Sequence, residues 1–539
     1  MARRGTRYAR AGALLAAVVA TAVTATACGQ GDGSAPAPTR EASGAPGGRA
    51  STAPPSAPAA PSALPAAVTG QKLAWKDCAA PVKAHGSDAV PPGAEWQCAT
   101  AKVPLDYAKP AGETVGIALI RARATGGDGK RIGSLLFNFG GPGGSGVAAL
   151  PGMSDLFTSL RGRYDLVGFD PRGVAESSEV VCRDDAATEA SLALDSTPDT
   201  PAEEKAYFDD AKAFGAGCAR RSGKILPHVG TTGAARDMDV LRQVLGDAKL
   251  HYFGFSYGTE LGGVYAHLFP KNVGRLTLDA VVDPSAGLVG HSRNQALGFQ
   301  RALDNYFRSG GTSPKAGTAR VVKLLDALDR APLPTGTTGG GRRLTQSLAL
   351  TGIIAPLYSQ SSWPALTQAL AAAERGDGAP LLRLADSYNN RDARGHYSTA
   401  SHSQRAISCA DTKGRVSAEE VRAQHLADFR KVSPAFGPYL AWDLAGWCAS
   451  WPVPGAYETP EVSAPGAAPI LVVGGTGDPA TPFEGSLKMA GELGRGVGVH
   501  LTYKGEGHGA YPSGNTCVKQ AVDAYFLDGK IPASGTVCS

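Results

Sequence analysis

Short apolar runs alternate with amphipathic stretches through much of this chain. The runs are six to ten residues long and end in turns that contain Gly, Asp or Ser; they span residues 114–123, 134–139, 164–169, 250–255 and 273–282. Between them lie stretches with helical spacing, such as residues 234–245. Apolar strands that alternate with helices are typical of a mostly parallel sheet covered on both faces. The pattern therefore predicts an α/β fold with a doubly wound sheet.

The alternation stops near residue 284. Helical patterns follow one another at residues 293–308, 318–330, 344–357, 363–375 and 419–431. Ser417 and Glu420 have the spacing of a capping box at the start of the last helix. Strand patterns return at residues 469–473 and 498–503. This order predicts one α/β core, formed by residues 71–284 and 434–539, that is interrupted by a helical cap at residues 285–433.

The first 70 residues have a different composition. Arginines crowd the first ten positions, and residues 11–27 are mostly small and apolar, which is the layout of a secretory signal. The signal ends in Ala-Thr-Ala-Cys, which resembles a bacterial lipoprotein signal in which Cys28 receives lipid. A plain signal cut near Ala27 is the alternative. We expect a signal peptide at residues 1–27 and a lipid anchor at Cys28, so that the protein is exported and either stays anchored on the outer face of the cell membrane or is secreted.

Residues 28–70 consist almost entirely of Gly, Ala, Pro, Ser and Thr. Such a segment buries too little apolar surface to offset the entropy of ordering it. The composition therefore predicts a disordered tether between the membrane and the folded part of the chain.

The chain has nine cysteines, and setting Cys28 aside leaves an even number. An even set in an exported protein indicates disulfides, although eight cysteines allow 105 pairings. The simplest arrangement joins neighbours in sequence: Cys78 with Cys98, Cys182 with Cys218, Cys409 with Cys448, and Cys517 with Cys538. Metal binding is not expected, because the chain contains neither CxxC nor HxxxH spacing.

Composition limits the partners. Lys and Arg number 53 against 48 Asp and Glu, and the resulting net charge of +5 is small for 539 residues. The charge therefore gives no reason to expect nucleic acid. Hydrophobic residues make up 43% of the chain, which is enough for a large core. We expect a monomer without a metal or organic cofactor.

Four glycine-rich stretches follow strands of the predicted sheet. They are GGPGG, GFSYG with Ser256, GTGDPATP with Asp478, and GEGHGAY with His508. Ligands gather at the carboxyl ends of parallel strands, so these stretches should meet at one edge. A serine nucleophile needs a base to take its proton and a third group to orient that base. The order Ser, Asp, His is that of the α/β-hydrolases, and we predict Ser256 as nucleophile, His508 as base and Asp478 as the orienting acid.

Other residues compete for two of the roles. Asp279 and Asp283 also follow a strand, where some hydrolases carry their acid, but the glycine-flanked loop of Asp478 is the better match. The oxyanion needs two backbone N–H donors. We expect one from Tyr257, and the other from Gly141 or its neighbour Gly140.

Several segments resemble a known family. The segments NFGGPGGSG, VGFDPRG, GFSYGTELGGVYAHLFP, GGTGDPATP and GEGHGAY look like those of the secreted tripeptidyl aminopeptidases of Streptomyces and their mycelium-associated lipoprotein relatives. The similarity runs from about Leu73 to Ser539. It implies an α/β-hydrolase serine peptidase, related to prolyl aminopeptidase, that removes short peptides, usually tripeptides, from free N-termini. The resemblance also implies the triad of Ser256, Asp478 and His508, and an oxyanion loop at GGPGG. Phe139 stands where prolyl aminopeptidases usually have His, which argues against strict proline specificity.

An exopeptidase must recognise a charged amine. Cap or pocket carboxylates do this by charge-assisted hydrogen bonds, and Glu260 and Asp411 are the candidates, although each taken singly also has a structural interpretation. Two other enzymes remain possible on the same residues: an esterase or lipase, and a proline-preferring aminopeptidase. A non-catalytic binding lipoprotein is the third alternative, and the complete set of catalytic residue types argues against it.

Overall fold

A computed structural model describes residues 64–78 and 96–539. In this part of the chain, ten strands form one sheet and two more form a separate short ribbon. The strands are β1 (Lys76–Asp77), β2 (Trp96–Pro104), β3 (Thr114–Ala122), β4 (Gly133–Asn138), β5 (Tyr164–Phe169), β6 (Leu250–Phe255), β7 (Val273–Asp279), β8 (Leu333–Pro334), β9 (Arg343–Leu344), β10 (Ile470–Gly477), β11 (Gly498–Glu506) and β12 (Thr536–Cys538).

The main sheet has the order β1-β2-β3-β5-β4-β6-β7-β10-β11-β12. All neighbours from β5 to β12 are parallel, so the predicted mostly parallel sheet is confirmed. The edge formed by β1, β2 and β3 is antiparallel. The run at residues 114–123 therefore forms a strand as predicted, but it pairs with β2 and β5 in the antiparallel sense. Such an edge needs only short connections, whereas parallel neighbours need long crossovers.

Helices cover both faces of the sheet and form the cap. In the described residues they are α1 (Ala66–Thr69), α2 (Gly146–Met153), α3 (Thr158–Arg161), α4 (Asp185–Leu192), α5 (Pro201–Ser222), α6 (Thr231–Val244), α7 (Tyr257–Leu268), α8 (Leu288–Ser309), α9 (Pro314–Arg330), α10 (Gln346–Leu357), α11 (Trp363–Glu374), α12 (Ala379–Tyr388), α13 (Ala400–Asp411), α14 (Ala418–Glu420), α15 (Leu426–Val432), α16 (Gly437–Gly446), α17 (Phe483–Glu492) and α18 (Thr516–Asp528).

Successive strand residues point to opposite faces, which explains why the central strands are apolar throughout. On β6, Tyr252 joins the core under α6 and α7, whereas Phe253 joins the core on the other face with Phe526 of α18. Both side chains are fully buried. A strand buried on both faces loses the alternating pattern of a half-exposed one.

The cap has its own apolar core, built mainly from α8, α9, α10, α11 and α12. This core also contains Leu440 and Trp442 of α16, so the cap extends past residue 433, where the sequence placed its end. Leu192 and Phe208, from helices α4 and α5 between β5 and β6, pack against it as well. The apolar face of α16 needs a partner, and α8 supplies it.

The folded part begins before residue 70. Val68 of α1 is buried in the core beneath the sheet, so the last seven residues of the predicted tether belong to the folded part. The rest of the tether, the signal peptide and Cys28 lie outside the described residues. Within the described part, no helix is both long enough and apolar enough to cross a membrane.

Four disulfides lie in the described part. They join the neighbouring pairs predicted from the sequence: Cys78–Cys98, Cys182–Cys218, Cys409–Cys448 and Cys517–Cys538. The third bridge links α13 to the segment after α16, and the fourth links α18 to the edge strand β12.

A buried ion pair ties helix α6 to the loop after β5. Arg172 donates to both carboxylate oxygens of Asp237 at 2.7 and 2.6 Å, and its remaining donors reach the carbonyls of Pro104, Leu105 and His228. Removing one member of a buried pair leaves an uncompensated charge. We expect Arg172→Met to lower the free energy of unfolding by about 3–5 kcal/mol.

Thermal unfolding of the purified protein measures this effect. Lys205→Met is the matched control, because it breaks the exposed pair between Lys205 and Asp209 and should cost less than about 1 kcal/mol. Equal losses of unfolding free energy in the two variants would show that the buried Arg172–Asp237 pair contributes no more to stability than an exposed pair.

Candidate active site

Ser256 occupies the sharp turn between β6 and α7. Its φ of 55° and ψ of −125° lie outside the usual regions for a residue with a side chain. A Cβ on Gly254 would lie 2.3 Å from the carbonyl oxygen of Gly258 in α7, and one on Gly258 would lie 2.7 Å from the carbonyl oxygen of Asn138 in β4. The two glycines flanking Ser256 are therefore required for α7 to pack this closely against β6 and β4. The turn raises one hydroxyl above the carboxyl end of the sheet.

His508 and Asp478 come together from the ends of β11 and β10. The imidazole Nδ1 lies 2.9 and 3.0 Å from the two carboxylate oxygens of Asp478. Thr481 Oγ1 lies 3.4 Å from the same nitrogen. A proton on Nδ1 satisfies the carboxylate and leaves the Nε2 lone pair free to accept a proton.

Backbone donors fix the orienting carboxylate. Asp478 is buried and accepts the N–H groups of Ala480, Thr481 and Gly509 at 3.1, 2.9 and 3.3 Å. The loop GTGDPATP thus folds back on its own aspartate. With these donors and His508, every lone pair of the buried charge has a nearby partner.

Asp279, the alternative acid, has a different position. Its carboxylate accepts the N–H groups of Ala510 and Tyr511, at 2.9 and 2.8 Å, and its carbonyl accepts the N–H of Ser256 at 3.1 Å. The residue therefore ties the serine turn to the histidine loop. Burial raises the pKa of Asp279 to about 6, against the opposing effect of these two N–H donors. Asp283, the other alternative, accepts hydrogen bonds from the Ser285 backbone and hydroxyl within its own loop.

The electrostatics around His508 favour its protonated form. Burial lowers the pKa of the imidazole, but the charge and hydrogen bond of Asp478 outweigh burial and the pKa lies above its ordinary value. Asp279 adds to this effect. An imidazole that gains a proton here is stabilised by the neighbouring carboxylate, as a general base requires.

The loop GGPGG lies directly against the serine. A Cβ on Gly140 would lie 2.7 Å from Ser256 Cβ, and the φ angles of Gly140 and Gly141 are +93° and +110°. Only glycine adopts such angles without strain while packing so closely. The N–H of Gly140 donates to the side chain of Asn138 at 3.0 Å. Of the two glycines considered for the oxyanion hole, Gly140 therefore has its donor already engaged.

A cavity of about 220 Å³ opens beside Ser256 and Tyr257. Its wall contains Gly141 and Thr481, and it also contains five carboxylates: Glu260, Asp283, Asp411, Asp443 and Glu458. Among the described residues of this wall there is neither Lys nor Arg. His291 also lies in the wall, and burial lowers its pKa against the opposing charge of Asp283. The cavity is thus strongly acidic although the chain has a net positive charge.

A hydrogen-bond network joins the two predicted amine ligands to the serine turn. Asp411 accepts the hydroxyl and the N–H of Thr231 at 2.6 and 2.8 Å. Because Thr231 donates to Asp411, the hydroxyl of Tyr257 must donate in its 2.6 Å contact with Thr231. Glu260 accepts the hydroxyl of Tyr457 at 3.1 Å. Both carboxylates are therefore fixed at the cavity wall.

The two carboxylates hold protons more tightly than isolated ones. Burial and the nearby charge of Asp411 raise the pKa of Glu260 to about 8. Burial raises the pKa of Asp411 to about 6, and its hydrogen bonds with Thr231 oppose this shift. At neutral pH the pair carries about one negative charge, and a bound cation would favour the second ionisation.

Sequence reasoning missed part of this wall. Thr231 and Tyr457 lie in segments without a motif, and Asp443 and Glu458 come from beyond the predicted end of the cap. Only knowledge of which loops meet could have identified them. The histidine loop also touches the cap, because the His508 N–H donates to the carbonyl of Tyr358 at 2.8 Å.

Comparisons with known proteins match these features. A model of the alpha/beta hydrolase fold matches residues 133–319, and a model described as TAP-like protein matches residues 433–538. Serine protease Hip1 of Mycobacterium tuberculosis (strain ATCC 25618 / H37Rv) is 37% identical over 490 residues, covering 87% of this chain and 91% of that protein.

Two further relatives carry different activities in their names. Carboxylesterase B of Mycobacterium tuberculosis (strain ATCC 25618 / H37Rv) is 37% identical, covering 82% of this chain and 86% of its own length. Tripeptidyl aminopeptidase of Streptomyces lividans is 31% identical and covers 86% of both chains. Peptide and ester hydrolysis are therefore both represented among proteins similar to this one.

Proposed function

Because this chain belongs to the α/β-hydrolase family that includes serine protease Hip1 and the tripeptidyl aminopeptidases, we propose that it is a serine exopeptidase for short peptides with free N-termini. The chain is a serine hydrolase. The proposal adds the substrate: peptides from which it releases tripeptides. The acidic wall of the cavity beside Ser256 carries the preference for a free N-terminus, and the similarity to tripeptidyl aminopeptidase supports the tripeptide length.

In the proposed mechanism, Ser256 Oγ attacks the scissile carbonyl while its proton passes to His508 Nε2. The oxyanion accepts the N–H groups of Tyr257 and Gly141, since the N–H of Gly140 is engaged by Asn138. His508 then gives its proton to the leaving amine, and the acyl-enzyme forms. Water attacks the ester with His508 again as base, and the released Ser256 regains its proton. Asp478 holds the imidazole orientation throughout.

The acidic wall would bind the substrate ammonium. Glu260 and Asp411 stand beside Tyr257 and have their own hydrogen-bond partners, so their positions are set before substrate arrives. A preset carboxylate binds a cation without the cost of ordering a mobile side chain. A neutral acyl chain gains nothing from these charges and leaves them desolvated. The wall therefore favours free amines over blocked ones.

The test uses Ala-Pro-Ala p-nitroanilide with a free and with an acetylated amine. We expect the free-amine substrate to have the higher kcat/KM by about 10-fold or more, since a hydrogen bond between charged groups contributes about 1.5–3 kcal/mol. Equal turnover of both would indicate an endopeptidase or a general acyl hydrolase. Turnover of p-nitrophenyl esters without any anilide cleavage would establish the esterase alternative, which the similarity to carboxylesterase B supports.

Replacing Glu260 with Gln should lower the preference for free amines. The variant keeps the size of the side chain but cannot ionise when the ammonium binds, so the ratio of kcat/KM for the free and acetylated anilides should fall by about 10-fold. Glu484→Gln is the matched control, because this glutamate pairs with Arg301 at the surface. An unchanged ratio in Glu260→Gln would exclude this residue as an amine ligand.

The same variant should change the pH dependence of stability. Glu260 has a folded pKa of about 8, raised above its ordinary value of about 4.5, so the folded state binds the extra proton between these pH values. Wild-type stability should therefore fall by up to about 1.4 kcal/mol per pH unit in this window from Glu260 alone. The Tm of Glu260→Gln relative to wild type should rise from pH 5 to pH 8.5, and a constant difference would contradict the shifted pKa.

Export is part of the proposal. The four disulfides of the described residues favour an oxidising compartment, because cytoplasmic thiols stay reduced. We propose that the signal at residues 1–27 directs the chain across the membrane and that lipid is attached at Cys28. Mass spectrometry of the N-terminal peptide from membranes tests both points, and a free thiol at Cys28 would exclude lipidation.

A further inference from the structure

One tyrosine of the cap contacts His508, and a second tyrosine contacts the first. The ring of Tyr358 meets the imidazole of His508 edge-on, with centroids 5.3 Å apart and an interplanar angle of 88°. Tyr388, the last residue of α12, lies beside Tyr358 with ring centroids 5.9 Å apart and hydroxyls 3.3 Å apart. Tyr388 is 46% exposed, which makes it one of the most exposed large apolar side chains among the described residues.

The tyrosine pair lies outside the acidic cavity. Neither ring belongs to the cavity wall, which includes Ser256, Glu260 and Asp411. The pair is also chemically unlike that wall, because it offers two aromatic faces and two neutral hydroxyls. The surroundings of the triad thus comprise two surfaces of different chemistry, one acidic and one aromatic.

The proposed mechanism assigns a side to each surface. His508 must reach both Ser256 Oγ and the leaving nitrogen, so the residue that follows the cleaved bond has to depart alongside the imidazole. The ammonium end of the substrate lies on the other side of the cleaved bond, within the acidic cavity. The part of the peptide that leaves must therefore pass over the side chains beside His508 outside that cavity. Tyr358 lies against the imidazole there, and Tyr388 lies against Tyr358.

We infer that Tyr358 and Tyr388 form a leaving-side subsite that binds the first residue after the cleaved bond and prefers aromatic or large apolar side chains. Exposed aromatic rings gain from stacking and from covering apolar surface. Tyr358 is held by its contact with His508, whereas Tyr388 presents the more exposed ring. The inference rests on the proposed function, because the ammonium in the acidic cavity decides which side of Ser256 is left for the departing residue; its test needs no amine on the acyl group.

Partitioning of an acyl-enzyme tests the subsite. The acetyl-enzyme formed from p-nitrophenyl acetate is offered equal concentrations of phenylalanine amide and glycine amide, and the two acetylated amides are quantified by mass spectrometry. The free α-amino nitrogen of each amino-acid amide attacks the Ser256 ester, and the serine oxygen leaves with the proton that His508 removed from that amine. By microscopic reversibility, the nucleophile occupies the leaving-side subsite.

We expect wild type to favour the phenylalanine product by about 10-fold, which corresponds to one aromatic contact. Tyr388→Ala should reduce this ratio to about 2-fold or less, and Tyr388→Phe should keep it, because the ring and not the hydroxyl makes the contact. Val537→Ala is the matched control, since Val537 is an exposed apolar residue on the edge strand β12.

Both acetylated amides form from the same acetyl-enzyme in one reaction. A change in the overall rate of a variant therefore does not affect the ratio of phenylalanine product to glycine product. A wild-type ratio near one, or a ratio that Tyr388→Ala leaves unchanged, would overturn the subsite. The proposed function fails separately, by the absence of preference for free-amine anilides, and the acetyl-enzyme experiment remains decisive in that case because its acyl group carries no amine.

Discussion

Replacing Ser256 with Ala is expected to lower kcat for Ala-Pro-Ala p-nitroanilide by at least about 10⁴-fold. The variant removes the atom that forms the acyl-enzyme in the proposed mechanism and leaves the proposed backbone donors of Tyr257 and Gly141 in place. Initial rates at saturating substrate measure the loss. Covalent labelling by a fluorophosphonate should disappear in the same variant, because that reagent also needs the serine oxygen.

A matched variant separates chemistry from folding. Ser313→Ala removes another serine hydroxyl, at the start of the cap helix α9, and should keep both hydrolysis and labelling. The Tm of Ser256→Ala should stay close to that of wild type, since the Ser256 side chain caps no helix. Residual hydrolysis above about 1% of wild type, with labelling retained, would mean that another residue is the nucleophile.

Replacing Asp478 with Asn should lower kcat by about 10⁴-fold, comparable to the loss of the nucleophile. The amide can donate to Nδ1 of His508 and so favours the tautomer whose Nε2 carries the proton. An imidazole in that tautomer cannot accept the serine proton. The variant also removes the negative charge that keeps the pKa of His508 above its ordinary value.

Asp279→Asn is the informative comparison, because Asp279 is an alternative to Asp478 as the acid in the sequence. Asp279 bonds to the Ala510 and Tyr511 backbone and not to the imidazole. Its amide variant should lower the Tm more than it lowers kcat, with a loss of kcat below about 100-fold. A loss of 10⁴-fold in a folded Asp279→Asn, with Asp478→Asn active, would reverse the assignment.

Sequence patterns predicted the parts of the fold that are buried and local. The runs at 164–169 and 250–255 coincide with β5 and β6, since a strand covered on both faces is apolar at every position. β2 was missed because only part of it is buried: residues 97–100 are half-buried or exposed, and the strand includes Gln97 and Lys102, so it has neither a continuous apolar run nor a regular alternation. The direction of β3 was not predictable either, as it depends on which strand it meets and not on its own residues.

In the candidate site, too, local features were predictable from the sequence and contacts between distant segments were not. The glycines around Ser256 and the loop of Asp478 are local devices, so their sequence spacing predicts them. The partner of Arg172 is not local: the spacing in FDPRG suggests Asp170, but Arg172 pairs with Asp237, whereas Asp170 accepts the hydroxyl of Ser145 at 2.6 Å. Asp443 lies in the acidic wall because α16 packs onto the cap, and no sequence motif predicts that contact.

The disulfides have a consequence for how the chain acquires its structure. Each described bridge joins one cysteine to the next along the chain, at sequence separations of 20 to 39. Suppose that such a chain emerges from a membrane channel with its N-terminus first. The native partner of the first cysteine in each pair is then the next thiol to appear. An oxidase that joins thiols in order of arrival would then make the native set, and reshuffling would be needed only where arrival is faster than oxidation.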